Sequence, residues 1–252
     1  MAEKRVIDIS YHNGAINFSA LSKEVDTVII RCGFGDNIKS QDDKRFNEYM
    51  QMAIACGMNI GIYIYSYAKS TQQAASEANH IIRCLEPFKD YKRLSKVLWY
   101  DVEEHYQISI ADNLFSTFEK GVKDYGYTAG LYMSESYYNQ CFKNGVGNVP
   151  LWIAKYGTNT GKPQTKPIVK GAISLWQYTS VGKVAGISGN VDISLLYDDT
   201  IFTNKGRIAD FDSAMKLLVE KGAIASPEYW YNAAKVVNYL PDLIINMANT
   251  ID

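Results

Sequence analysis

Two carboxylates stand close together at the end of an apolar run. In the stretch WYDVEEH, Asp101 and Glu103 are two positions apart and follow the segment KVL. Alternate residues of a β-strand point to the same face, so we predict that both acids share a face with Trp99. By the same rule, Tyr100 and Glu104 point the other way. Crowded carboxyls raise the pKa of one member, which suits such a pair to acid–base chemistry.

Paired carboxyls in a cleft lined by aromatic rings are typical of glycoside hydrolysis. One carboxyl must be protonated to donate to the leaving oxygen, and another stays ionised as base, nucleophile or electrostatic support. Aromatic residues make up 13% of this sequence, including 19 tyrosines, which favours a ring-binding surface; tyrosine as strand filler is the simpler alternative and accounts for most of the excess. The simpler alternative is that the acids cap loops or form ion pairs with Arg31 or Lys155.

The acids lie in a chain of alternating strands and helices. Five strand-like segments are separated by stretches with helical periodicity, an alternation typical of parallel strands joined by right-handed crossovers. Three more strand-like segments follow, with loops between them. Eight strands suit closure into a barrel, so the predicted fold is α/β: an irregular β/α barrel of five β/α units plus three further strands. The predicted strands are 5–10, 27–34, 59–68, 95–103, 128–135, 151–156, 173–180 and 190–197.

Functional residues of a β/α barrel collect at the carboxyl ends of its strands. Asp8 lies near the end of the first predicted strand, and Asp101 and Glu103 lie at the end of the fourth. Asp192 is placed differently, because it comes early in the last strand. It joins the other acids only if that strand runs antiparallel, which the missing crossover helices permit. The predicted catalytic set is therefore Asp8, Asp101, Glu103 and Asp192.

An ordered set of motifs resembles glycoside hydrolase family 25, the Chalaropsis-type lysozymes, many of which are bacteriophage endolysins. The resemblance covers about residues 4–200. The motifs are VIDISYHNG (6–14), IIRCGFG (29–35), GIYIYSY (61–67), WYDVEE (99–104), LWIAKYG (151–157) and LWQYTSVGKVAGISGNVDIS (175–194). The resemblance implies the same irregular barrel, and cleavage of the β-1,4 bond from N-acetylmuramic acid to N-acetylglucosamine in peptidoglycan, for host-cell lysis.

The resemblance also implies roles for the four acids. Glu103 would be the general acid and then the general base. Asp101 would orient and polarise the 2-acetamido group of the substrate, which then acts as internal nucleophile; direct attack by a carboxylate is the open alternative. Asp8 and Asp192 would hold the charge and the hydrogen bonds of the site.

Six further residues are candidates for substrate binding. The aromatic members are candidates for stacking on sugar rings, with packing inside the barrel as the alternative for each. Arg31 is a candidate for binding a site carboxylate or the lactyl group of the substrate, with an ion pair to Asp8 or Asp192 as the alternative. The candidates are Tyr65, Tyr67, Arg31, Tyr132, Trp152 and Trp176.

Two alternatives belong to other functional classes. One is a catalytically inactive barrel that only binds glycan, against which the retained acid pair argues. The other is a hydrolase that uses the acids as metal ligands. His12, His80 and His105 share no metal-ligand spacing, and His80 is predicted to lie on the surface of a helix. We therefore expect no metal and no other cofactor.

Composition and segment patterns predict domains and location. The expected domains are a catalytic barrel at 1–202, a linker at 203–207 and a small helical module at 208–252, which binds cell wall or self-associates into a homo-oligomer.

A net charge of −1 gives no case for nucleic acid or an anionic membrane as partner. The start, MAEKRVIDIS, lacks the apolar segment of a signal peptide. We expect the host cytoplasm until lysis, and then the bacterial cell wall with its peptidoglycan glycan strands as partner.

Overall fold

Eight β-strands close into a barrel in the order of the sequence. The computed structural model describes residues 4–202, 211–237 and 240–250; the predicted linker at 203–207 lies outside these ranges. The strands are β1 Arg5–Ile9, β2 Thr27–Phe34, β3 Asn59–Tyr65, β4 Leu94–Asp101, β5 Thr128–Ser134, β6 Leu151–Ala154, β7 Ile173–Gly182 and β8 Val191–Leu196.

Five helices connect the first strands, and three more follow the barrel. They are α1 Phe18–Leu21, α2 Phe46–Ala55, α3 Thr71–Leu85, α4 Ala111–Lys123, α5 Glu135–Cys141, α6 Phe211–Glu220, α7 Pro227–Ala234 and α8 Leu240–Thr250. Each of the first five strands is followed by one helix, whereas β6, β7 and β8 are joined without α-helices. The predicted fold of five β/α units and three further strands is confirmed.

Strand direction changes once around the barrel. Neighbours from β1 to β7 pair in parallel, but β8 pairs antiparallel with both β7 and β1. In the β1–β8 register, Asp8 stands directly opposite Asp192. The predicted reversal of the last strand is therefore confirmed, and it brings Asp192 to the same end of the barrel as Asp8.

Aromatic side chains fill the middle of the barrel. Trp152 is fully buried, and its ring centroid lies 5.6 Å from that of Trp99 and 4.6 Å from that of Tyr132. At the opposite end from the acids, Phe202 is buried in the same interior cluster after β8 has ended. The barrel therefore has a packed floor beneath its carboxyl-terminal face, and water is excluded from below.

The three C-terminal helices share a small core of their own. Met215 and Leu218 from α6 and Ile244 from α8 are fully buried there. Helix α7 ends at Ala234, and Pro241 stands in the first turn of α8, where a missing N–H is tolerated. Within the described ranges, every helix is too short or too polar to cross a bilayer.

Candidate active site

Four carboxyl groups converge on one cleft at the carboxyl end of the barrel. Asp8 and Asp101 come from the ends of β1 and β4, Glu103 from just beyond β4, and Asp192 from the start of the reversed β8. All four predicted catalytic residues line this cleft. The strand period places Trp99 and Asp101 inward, as predicted from the sequence.

Burial changes the protonation of the two deepest acids. The pKa of Asp8 is raised well above its ordinary value by burial and then by the negative charge of Asp192. The pKa of Asp101 is likewise raised by burial and then by the charge of Glu103. Because like charges in an apolar setting disfavour joint ionisation, the cluster holds protons at pH values where exposed acids have lost them.

The pKa values of the two acids nearer to solvent are also raised. Burial raises the pKa of Asp192 to about 6. Burial, with a smaller contribution from the charge of Glu104, raises the pKa of Glu103 above its ordinary value. A carboxyl whose pKa is raised and that opens onto a cleft can serve as a general acid.

The alternation rule predicted that Glu104 points away from the cleft, but its carboxylate contacts Tyr65 on the cleft wall. The Tyr65 hydroxyl donates to Glu104 Oε1 at 2.8 Å. The reason is that β4 ends at Asp101, so the two-residue period no longer applies beyond it. Glu104 begins a 3₁₀ turn instead, and its backbone N–H donates to Gln107 Oε1 at 3.1 Å. Tyr100 does face outward, where it stacks on Phe118 with ring centroids 4.1 Å apart.

The predicted stacking role of Trp176 is wrong. Trp176 belongs to the cluster between barrel and helices, and its Nε1–H donates to the Lys155 carbonyl at 2.9 Å. Both faces of β7 are apolar, so the sequence did not reveal which residues face inward. In the structure Leu175 and Gln177 do, and Gln177 lines the cleft. The signal for Gln177 was available: it is the amide in an otherwise apolar run, LWQY, and buried polar groups need partners.

The other aromatic candidates divide by depth. Tyr132 and Trp152 are buried and form the floor of the cleft. Tyr65 is half-buried on its wall. Tyr67 follows β3 and is 46% exposed, with its ring centroid 4.9 Å from that of Tyr65. Tyr67 and Tyr65 are therefore the two of these rings that are open to solvent at the rim.

Arg31 lines the cleft but pairs with an acid that sequence reasoning missed. Its Nε and Nη2 each lie 3.0 Å from Asp43 Oδ2, rather than on Asp8 or Asp192. The same Asp43 oxygen accepts the Tyr11 backbone N–H at 3.0 Å. Asp43 stands in the loop after β2, twelve residues from Arg31, so only the folded chain brings the two together.

His80 is fully buried, contrary to the surface position predicted for it. Its Nδ1 lies 3.0 Å from the Gly35 carbonyl oxygen, and its Nε2 lies 3.0 Å from Asp42 Oδ1. Both partners only accept hydrogen bonds while Asp42 is ionised, so the ring carries both protons. Arg83 also donates to both oxygens of Asp42. This network ties the loop that carries Asp43 to helix α3.

One group of donor atoms in the described ranges is close enough to hold a metal ion. Asp42, His80 and Cys84 each offer one atom, and these atoms lie within 4.8 Å of one another. Arg83 and Lys39 already contact the Asp42 carboxylate. Their charges oppose a cation at this position, so the group fits the loop-fixing network better than a metal site.

A profile described as Glycosyl hydrolases family 25 matches residues 7–187, which is more than half of the chain. The chain belongs to this family. The profile match spans Asp8, Asp101 and Glu103 but ends before Asp192 and before the three C-terminal helices. For Asp192, the reversed strand β8 is the evidence that places it in the family-25 cleft.

Two curated relatives and one solved structure illustrate the likeness. The chain is 28% identical over 214 residues to the autolytic lysozyme of Clostridium acetobutylicum. The aligned region covers 81% of this chain and 60% of that protein. It is 26% identical over 199 residues to lysozyme M1 of Streptomyces globisporus, covering 74% and 65%. The chain thus spans about three fifths to two thirds of their length. The catalytic domain of endolysin ply40 from bacteriophage P40 of Listeria monocytogenes superposes with a TM-score of 0.70 at 29% identity, over 79% of this chain and 95% of that one.

Removing Asp43 is expected to destabilise this family-25 barrel strongly. Asp43→Ala leaves the Arg31 guanidinium, whose side chain is only 10% exposed, without its counterion. Breaking a buried ion pair from one side typically lowers the free energy of unfolding by about 3–5 kcal/mol, which urea unfolding followed by circular dichroism measures.

The matched control is Asp199→Asn, which removes the acid of the exposed pair between Lys4 and Asp199. That change is expected to leave stability almost unaltered, because exposed pairs contribute little. Equal effects of the two substitutions would contradict the buried-pair assignment.

Proposed function

We propose that the chain is a peptidoglycan hydrolase, an N-acetylmuramidase of the lysozyme type. It would cleave the β-1,4 bond between N-acetylmuramic acid and N-acetylglucosamine. The observation that carries this proposal is the cluster of four carboxyls in one cleft, with Asp8 and Asp101 buried and with the pKa of the half-buried Glu103 raised. Membership in family 25 supports the same reaction class.

In the proposed reaction, Glu103 donates its proton to the glycosidic oxygen as the bond to the leaving sugar breaks. After the leaving sugar departs, the Glu103 carboxylate accepts a proton from water, which completes hydrolysis. Because Glu103 must be protonated to act as acid, kcat is expected to fall as the pH rises through the raised pKa of that residue.

Asp101 is proposed to orient the 2-acetamido group. Among the described residues, no side chain or backbone group bonds to its buried Oδ1 atom, so this oxygen is free to accept the acetamido N–H. The acetamido oxygen would then attack the anomeric carbon. The alternative, direct attack by a carboxylate, predicts a covalent glycosyl–enzyme intermediate in place of a cyclic sugar intermediate.

Substrate contacts are proposed from the walls of the cleft. Tyr65 and Tyr67 would stack on sugar rings at the rim, while Tyr132 and Trp152 shape the floor below the scissile bond. Arg31 presents a buried cation at the cleft and would attract the lactyl carboxylate of the substrate.

The biological role proposed is lysis of a bacterial host from within. The protein would remain in the host cytoplasm until lysis and then act on the cell wall. The likeness to the endolysin ply40 catalytic domain supports this role. The competing proposal, an inactive barrel that only binds glycan, predicts binding without new chain ends.

The C-terminal helices are proposed to bind the cell wall. Tyr229 is 67% exposed on α7 and offers a ring for stacking on glycan. Self-association is the second candidate, because Val236 and Leu243 leave aliphatic surface exposed on the same small bundle. Both roles would raise the local concentration of the barrel at its substrate.

Glu103→Gln is expected to abolish hydrolysis while the protein stays folded. The amide cannot donate a proton in acid–base catalysis, so the rate should fall by at least about 10²-fold. The measurement is the number and type of new chain ends after incubation with purified Gram-positive peptidoglycan. Wild-type protein should release reducing N-acetylmuramic acid.

Glu104→Gln is the matched control for this test. Its side-chain oxygen can still accept from the Tyr65 hydroxyl, so activity should stay within a few-fold of wild type. New N-acetylglucosamine ends, free amines, or loss of activity in Glu104→Gln but not in Glu103→Gln would each contradict the proposed reaction.

The role of the C-terminal helices is tested with the full chain carrying Glu103→Gln, which cannot destroy its target. Cosedimentation with purified cell wall should fall several-fold when Tyr229→Ala is added, whereas the exposed barrel residue Tyr125→Ala should have no effect. A dimer mass by light scattering, with wall binding independent of Tyr229, would instead support self-association.

A further inference from the structure

Gln177 stands at the centre of a hydrogen-bond chain in the floor of the cleft. Its Oε1 atom accepts the Tyr132 hydroxyl at 2.8 Å and the Tyr156 hydroxyl at 2.6 Å. Its Nε2 atom donates to Asp8 Oδ2 at 2.8 Å. Gln177 is almost completely buried, as are Asp8 and Tyr132.

This arrangement fixes which way the amide points. The NH₂ end of the amide faces Asp8 Oδ2, which accepts from it whether Asp8 is ionised or carries a proton on Oδ1. The amide oxygen then faces the two tyrosines, both of which can donate. The reversed amide would need a proton on Asp8 Oδ2 and would need both hydroxyls to turn into acceptors. Two hydroxyl donors on one side therefore hold the amide in a single orientation.

The fixed amide has a consequence for Asp8. Its Oδ2 atom is occupied as an acceptor from Gln177, so a proton bound by Asp8 lies on Oδ1. We infer that Gln177 is a positioning residue whose amide, held by the Tyr132 and Tyr156 hydroxyls, sets the orientation of Asp8 and the oxygen on which it is protonated. This inference deepens the proposed hydrolysis and rests on it for its relevance to turnover.

The hydrogen bond also opposes the other influences on Asp8. Burial and the charge of Asp192 raise the pKa of Asp8, whereas the Gln177 amide lowers it. The charged and titratable groups that line the cleft around Asp8 come from every neighbouring element: His12 after β1, Arg31 on β2, Tyr63 and Tyr65 on β3, Asp101 on β4, Glu103 after it, Tyr132 on β5, Tyr156 after β6 and Asp192 on β8. Of these groups, the ones whose charges act most strongly on Asp8 are the acids Asp192 and Glu103, which raise its pKa. The Gln177 amide therefore limits how far the pKa of Asp8 rises.

The test measures the titration of Asp8 directly. Protein labelled with carbon-13 at aspartate carboxyls is titrated by NMR, and the Asp8 signal is identified by its loss in Asp8→Asn. In Gln177→Leu, the Asp8 midpoint is expected to rise by about one pH unit, as for the loss of one hydrogen bond to a charged group. In the activity assay kcat should fall about tenfold while KM changes less than threefold.

Two Tyr→Phe variants complete the design. Tyr156→Phe removes one of the two hydroxyls and should move the Asp8 midpoint in the same direction by a smaller amount. It also serves if Gln177→Leu does not fold. The control is Tyr138→Phe, which removes a hydroxyl that donates to the Lys170 carbonyl at 2.6 Å, outside the cleft, and should leave the midpoint unchanged.

An unchanged Asp8 midpoint in folded Gln177→Leu or in Tyr156→Phe would overturn the inference. So would a loss in Gln177→Leu confined to KM, because a positioning role for Asp8 acts on turnover. The NMR titration does not depend on catalysis. A wild-type protein that fails to cleave peptidoglycan would therefore refute the proposed function and leave the titration result readable.

Discussion

Gathering four carboxyl groups, two buried and two half-buried, at one end of a closed barrel is the constraint on which the rest of this structure depends. A buried charge without a counterion is unfavourable, and Arg31, a buried cation that lines the cleft, is paired with Asp43. The acids respond by holding protons, since burial raises the pKa of Asp8, Asp101, Glu103 and Asp192 alike. A carboxyl that retains its proton at pH values where an exposed acid has lost it is what acid catalysis requires.

The fold keeps this cluster together from several sides. The reversed strand β8 sets Asp192 opposite Asp8, which a uniformly parallel barrel would not do. Beneath the acids, rings such as Trp152 fill the interior and exclude water. Behind β4, the Tyr100 hydroxyl donates to the buried Glu77 at 2.5 Å, which anchors the strand that carries Asp101. Each contact restrains backbone near the cleft without neutralising an acid.

The sequence was informative where a simple period or direction decided the outcome. Strand alternation placed Trp99 inward and Tyr100 outward, and the early position of Asp192 required the reversal of β8. Prediction from strand alternation failed at Glu104, because β4 had already ended, and at Trp176, because both faces of β7 are apolar. It also missed the contacts that only folding creates, such as the ion pair between Arg31 and Asp43 and the burial of His80. No local pattern encodes such distant pairings.

The most direct test of the carboxyl cluster is the difference in unfolding free energy between wild-type protein and an Asp8→Asn/Asp192→Asn variant, measured with urea from pH 4 to pH 7.5. Groups with raised folded pKa values lose stabilising free energy as the pH rises through those values. The variant should therefore be more stable at pH 7, with Asp192 alone, raised from 3.8 to about 6, contributing about 3 kcal/mol. This advantage should vanish near pH 4. A variant that is less stable at pH 7, or a difference independent of pH, would contradict the account.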